Sequence, residues 1–239
     1  DAVRRKCCAL RRAGGEQLGY QMSWDPIIHN MAMFAFGIAV TLFLTATGVF
    51  LGMCVGVLGA VVRFWRVRIW RGAAAVYVES VRNTPFLLQL YFVFFGLPSA
   101  GILLPAWLAS ILAMTLNLGA YATEIIRAGL ESLPGGLSEA GFSLGMTRRQ
   151  VFRHVLLRPA LKTVWPALCS QIVIVMLGTS VCSEIAVKEL SYMANLLQSS
   201  TFRAFEIYLF TTAVYLVLAI LTRRSLLAFG NGVIARGRG

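Results

Sequence analysis

Long apolar runs alternate along the chain with short, mostly basic intervals. Residues 27–62, 73–97, 106–126, 163–182 and 207–227 each reach or exceed the roughly 20 largely apolar residues that a helix needs to cross a bilayer. Five spanning helices are expected, with 98–105 as a short connection between the second and third. The first run is too long for one perpendicular helix, so its start is expected to lie along the interface or the helix to tilt. That run also exceeds the apolar core of about 7–15 residues in a secretory signal, so a retained helix is expected even though Arg4, Arg5 and Lys6 precede it.

The third and fourth runs are separated by a polar interval, EAGFSLGMTRRQVFRHVLLRP, at 139–159. Ser138 stands where it can cap a first helix, with Glu139 near that helix's positive end, and Gly145 supplies the left-handed residue that stops it. Thr147 and Gln150, three apart, form a capping box for a second helix. That helix is expected to stop near Pro159, whose ring clashes with the preceding turn. The pattern predicts a charged helical hairpin at about 131–162. Helix-turn-helix readers of DNA share this outline, but they belong to soluble domains, and this hairpin has none around it.

Composition agrees with the apolar pattern. Of 239 residues, 58% are hydrophobic and 13% charged, and the mean hydropathy is +0.73. So little polar surface cannot coat a soluble globule, whereas a lipid-facing bundle needs this excess of apolar side chains. The basic residues then set orientation. Arg63, Arg66, Arg68 and Arg71, then Arg127, Arg148, Arg149, Arg153, Arg158 and Lys162, then Arg223, Arg224, Arg236 and Arg238 all fall on one side of the five spans. The opposite connections carry only Lys188 and Arg203. The hairpin and C-terminus are therefore expected in the cytoplasm and the N-terminus outside. Arg4, Arg5, Lys6, Arg11 and Arg12 run against this rule. The net charge of +12 follows from topology and anionic lipid and requires no nucleic acid. The expected organisation is a polar basic segment at 1–26, one transmembrane domain at 27–229 and a cytoplasmic tail at 230–239.

The hairpin resembles the EAA loop of ABC importer permeases. Glu139, Ala140 and Gly141 are followed by Gly145, then by Val155 and Leu157. Gly141 replaces the third small residue of that pattern, and Arg158 stands where it has a proline, with Pro159 one place late. YVESVRNTPFLLQLYFVFFGLP, LNLGAYATEIIRAGLESLPGG and TFRAFEIYL are similar to permeases for polar amino acids, and the similarity covers about residues 38–227. The resemblance implies an all-α type I importer permease of the bacterial inner membrane, paired with an identical or homologous second permease subunit. It further implies a cytoplasmic ATPase dimer, a periplasmic or surface substrate-binding protein, an amino-acid substrate and transport by alternating access. The chain has no Gly-x4-Gly-Lys-Ser/Thr phosphate loop, so no cofactor is expected in it, and ATP and magnesium would belong to the partner ATPase. It is not expected to be an enzyme.

On this resemblance Ala140, Gly141, Phe142, Leu144, Gly145 and Met146 would make the apolar docking contact with the ATPase. Glu139 starts the motif, and Arg148, Arg149 and Arg153 would stand at the rim. Within the spans, Glu79 with Arg82 and Glu124 with Arg127 lie three apart on one helical face and can partly neutralise each other near the cytoplasmic helix ends. Gln89, Asn117, Gln171, Thr179 and Ser180 can offer hydrogen bonds to a zwitterion. Their alternative use is bonding between helices, worth about 0.6 kcal/mol each. Leu177 and Gly178 stand where related permeases often carry Lys-Asp before Thr-Ser, so two charges are missing there.

Gly48, Gly52 and Gly56 form a smooth stripe on the first span, expected to serve packing within the subunit rather than a dimer seam. Pro85 and Pro166 are positioned to kink the second and fourth spans. The connection around 184–203 is expected to receive the substrate-binding protein. Cys7, Cys8, Cys54, Cys169 and Cys182, with His29 and His154, have no ligand or disulfide spacing. Two other classes remain in comparison: a channel or secondary transporter would call for a second internal repeat or a chain of buried acids, and a membrane enzyme for a catalytic cluster. The sequence carries none of these.

Overall fold

The computed structural model describes residues 22–64 and 68–235. The basic residues before 22, Arg66, and Arg236 and Arg238 in the tail lie outside the described residues, as do Cys7 and Cys8. Every regular element described is helical. A short α1, Asp25–His29, precedes α2, Met31–Phe64. Then follow α3, Arg68–Arg82, α4, Phe86–Ser99, and α5, Ala106–Glu131. The hairpin contributes α6, Gly135–Ser143, and the start of α7, Arg148–Ile185. The chain closes with α8, Leu190–Thr201, and α9, Ala204–Ala235.

Four of these helices, over Met31–Arg63, Ala106–Glu131, Arg148–Ile185 and Ala204–Gly232, are long and apolar enough to cross a membrane. α2 has 34 residues, about 51 Å of helix at 1.5 Å per residue. Its expected start at 27 is corrected by a break at Asn30, whose side chain donates to the Pro26 carbonyl.

The expected second span is not one helix. α3 ends at Arg82 and α4 begins at Phe86, with Pro85 extended between them (φ −60°, ψ 140°). A proline disfavours helical geometry in the residue before it and has no N–H to give to the ladder. Pro85 therefore separates two helices here instead of kinking one. α3 carries polar and apolar residues on different faces, whereas α4 is apolar and contains a wide π turn at Phe92–Gly96.

α2 and α5 form the centre. Gly48, Gly52 and Gly56 lie against Met114, Leu118 and Ala122 of α5, so the stripe packs inside the subunit as expected. A Cβ placed on Gly56 would lie 2.4 Å from that of Ala122, closer than two carbons can approach. Leu44, Leu90, Ala109, Met114 and Leu118 fill the core beside them, joined by Cys182 and Ile185 from the end of α7.

The hairpin differs from expectation at both ends. α6 starts at Gly135, directly after Pro134, and Ser138 bonds back to the Gly135 carbonyl instead of capping. A proline just before the first turn is tolerated because no helical partner is lost with its missing N–H, although it offers no side-chain cap. Gly145 is left-handed (φ +75°) and the Thr147–Gln150 capping box is present, both as read from the sequence. The helix that follows does not stop at Pro159. It runs to Gly178, and a π turn at Val151–Leu156 precedes the proline. The widened turn loosens the ladder where the ring would clash with a carbonyl and where one N–H is missing. Pro166 lies inside the same helix.

The 184–203 connection is likewise not an open loop. α7 tightens into a 3₁₀ turn at Thr179–Ile185, Ala186 reverses the chain in the left-handed region (φ 61°), and α8 folds back onto α2. Leu190, Ala194 and Leu197 are buried there with Phe34 and Ile207.

Candidate functional site

The break between α3 and α4 opens one wall of a cavity. About 460 Å³ in volume, it is lined by Arg82, Asn83, Thr84, Pro85 and Phe86 from the break, Asn117 and Tyr121 from α5, and Gln171 and Ile174 from α7. Non-helical backbone at membrane depth is tolerated where it lines such a cavity. The Gln89 amide closes part of the break: it donates to the carbonyls of Val81 at 2.7 Å and Thr84 at 2.9 Å. The Val81 carbonyl also accepts from the Thr84 N–H and hydroxyl, so the Gln89 amide adds a further bond across the break. The Gln89 Oε1 in turn accepts from Asn117 Nδ2 at 3.0 Å.

The expected polar residues therefore separate. Asn117 and Gln171 line the cavity together, whereas Gln89 is consumed in bridging the break and does not line it. Thr179 and Ser180 also turn away: their hydroxyls donate to the carbonyls of Met176 and Leu177 one turn earlier. Gly178 borders a smaller space of about 80 Å³ beside Phe86 and Asn117. Short hydroxyl side chains satisfy themselves locally in a helix, which a one-dimensional reading does not show.

A second cavity of about 400 Å³ adjoins the first, sharing Arg82, Asn83 and Tyr121 and adding Arg63, Ala75, Val78, Glu79 and Glu124. Here one expected ion pair, Glu124 with Arg127, is present and the other is corrected. Arg82 does not pair with Glu79 on its own helix; its Nη1 is 3.9 Å from Glu124 Oε1. Glu124 gathers Arg63 from α2 at 2.8 Å and Arg127 from its own helix, where Nε lies 3.1 Å from Oε2. Arg127 also reaches Glu131. One carboxylate thus ties α2, α3 and α5 together, because the helix packing brings it nearer to Arg82 than the local spacing brings Glu79.

Tyr121, which sequence reasoning missed, carries the Arg82 guanidinium 5.5 Å from its ring centre. The signal was present: Asn117, Tyr121 and Glu124 recur at the helical period along one face of α5.

At the hairpin, Leu144 is 80% exposed and Phe142 47%, while Glu139, Ala140, Gly145, Arg148, Arg149 and Arg153 are all exposed. Gly141 and Met146, expected in the docking contact, help close the hairpin. Gly141 is buried against Val151, and Met146 packs on the cluster of Leu130, Val151, Leu156 and Ala160. Among the described residues no group of His, Cys, Asp and Glu is arranged to hold a metal.

A membrane helix bundle with an open cavity carrying amide side chains at a broken helix, and an exposed apolar and basic hairpin in series with one cavity wall, has the anatomy of a transport subunit. Residues 48–234 match the model of the binding-protein-dependent transport system inner membrane component. The chain is 36% identical to the probable glutamine ABC transporter permease protein GlnM of Bacillus subtilis, over 83% of this chain and 92% of that one. It is 35% identical to the L-cystine transport system permease protein TcyB of the same organism, over 72% and 74%. A crystal structure of an amino acid ABC transporter with histidines superposes with a TM-score of 0.82 at 32% identity, covering 87% of this chain and 98% of that one. The chain belongs to the family of binding-protein-dependent transport system inner membrane components, as an ABC importer permease subunit with the type I fold.

Proposed function

We propose that this permease carries a polar amino acid into the cell by alternating access, with ATP hydrolysis supplied by a separate cytoplasmic ATPase dimer. A second permease subunit, identical or homologous, completes the pathway, and an external substrate-binding protein delivers the cargo. The chain itself holds no nucleotide and catalyses no reaction. The cargo class follows from relatives named for glutamine and cystine and from the amide-lined cavity, where Asn117 and Gln171 can bond a zwitterion without a fixed buried charge.

The observation that carries this reading is the continuity of α7. The helix begins in the hairpin at Arg148, beside the exposed Leu144 and Phe142, and brings Gln171 and Ile174 to the cavity wall. From Arg148 to Gln171 is about 34 Å of rise. Force applied at the hairpin by closing ATPase subunits is transmitted along a single helix to the substrate path. On this reading the N-terminus lies outside and the hairpin and C-terminus inside, which the basic residues around Arg148 support.

The test is uptake of radiolabelled L-glutamine or L-cystine into proteoliposomes holding this chain, its cognate ATPase and its binding protein. Uptake is expected only with ATP and magnesium on the ATPase side. Uptake at the same rate without ATP would instead indicate a channel or secondary transporter.

A further inference from the structure

We infer that Arg82 binds the α-carboxylate of the cargo and so makes the pathway selective for intact amino acids. This rests on the transport reading above and names the group in the cavity that would read the substrate.

Among the described residues Arg82 is the only charged one lining the amide-lined cavity, and it also lines the neighbouring one. The remaining walls of the first cavity offer amides, a hydroxyl, a phenol and apolar surface. A carboxylate that enters therefore meets a single cation.

That cation is also the one Glu124 holds most loosely. Arg63 and Arg127 both hydrogen-bond Glu124, whereas Arg82 stands 3.9 Å from it and makes no hydrogen bond to a described residue. A guanidinium has five N–H donors in a planar fork that matches a carboxylate with two parallel bonds. Glu124, already hydrogen-bonded by two arginines, pairs with Arg82 only at 3.9 Å, without a hydrogen bond, so the fork keeps its donors for a ligand. The Tyr121 ring supports one side of the guanidinium, limiting how much order a ligand must impose. Glu79 and Glu124 line only the neighbouring cavity, and the charge of Glu124, the nearer of them to Arg82, is met by Arg63 and Arg127. The same geometry accommodates the ammonium end, because the side-chain oxygens of Asn117 and Gln171 can face it across the cavity.

The test uses the permease with its cognate ATPase, nucleotide-free, in phosphatidylcholine nanodiscs, so that no anionic headgroup competes. Binding of L-glutamine, L-cystine, L-arginine and L-histidine is compared with that of their α-amides. At least one acid is expected to bind, with its amide weaker by about tenfold or more, the range of a hydrogen bond to a charged group. Arg82→Gln should weaken the acid by a similar factor and abolish the preference over the amide. Arg82→Lys, which keeps the charge without the fork, should retain part of it. Co-purification of the ATPase reports assembly of each variant. If Arg82→Gln does not assemble, a preference in Arg82→Lys undiminished from wild type overturns the assignment. It is likewise overturned if Arg82→Gln assembles and still discriminates, or if no acid in the panel binds. ATP-driven uptake by the wild type separates these failures from a failure of the transport reading itself.

Discussion

Glu189 shows how a single residue can escape a linear reading. It lies in the connection expected to be an open outer loop, yet it is fully buried. Its carboxylate accepts from the Tyr192 backbone N–H at 2.8 Å, so it caps α8. It also accepts from the hydroxyls of Tyr215 at 2.6 Å and Thr41 at 3.5 Å, which pins α8 to α9 and α2. Burial raises its pKa above the ordinary 4.5 despite these donors. The folded chain thus keeps this proton to higher pH than the unfolded chain does. The stability it contributes is whole below the unfolded value and is lost as pH rises through the folded one. The melting temperature of wild type relative to Glu189→Gln should therefore fall as pH is raised from 4.5 toward neutrality, measured on the detergent-solubilised complex. A difference that does not vary with pH would refute the raised pKa of Glu189. Asn117 and Gln171 were legible as cavity residues from their polarity within apolar runs. The roles of Gln89, Thr179 and Ser180 were not, because the carbonyls that occupy them become neighbours only in the folded helices.

At the scale of elements, the hairpin and the second apolar run make opposite lessons. The capping box and the left-handed Gly145 are local chemistry, confined to a few consecutive residues, and were readable directly. The passage of α7 through Pro159 was not, since a π turn can absorb a proline only when the packing around it tolerates the wider turn. Val151 and Leu156, both buried in the hairpin cluster, supply that packing. The break at Pro85 was legible as a disturbance, but its consequence, two helices and a cavity wall, depended on α5 and α7 standing opposite. The exposed tip of the hairpin yields a prediction at this scale. Leu144→Glu adds a charge to a side chain that is 80% exposed, so membrane insertion and melting temperature should not change. Loss of an apolar anchor at an interface should reduce ATPase capture by about tenfold or more in a pull-down. Undiminished capture would move the docking contact away from the tip.

For the molecule as a whole, orientation is the property on which the mechanism depends. In a background without the native cysteines, Ser99→Cys should react with a membrane-impermeant maleimide in intact cells. Ser143→Cys should react only after permeabilisation. The reverse pattern would place the hairpin outside and remove its access to an ATPase. The apolar runs and the scarcity of charge determined by themselves that the chain is a membrane helix bundle, because backbone hydrogen bonding in hydrocarbon leaves an apolar segment little choice but a helix. The distribution of arginine suggested which ends share a side, and the hairpin motif suggested what binds there. Only tertiary structure decided which helices touch: Glu124 takes Arg63 and Arg82 from other helices, and the glycine stripe of α2 lies on α5. Only tertiary structure, too, left Arg82 facing a cavity of amides. Helix formation is governed by neighbours within a turn or so, whereas a binding site is assembled from residues far apart in the chain, whose approach is set by packing.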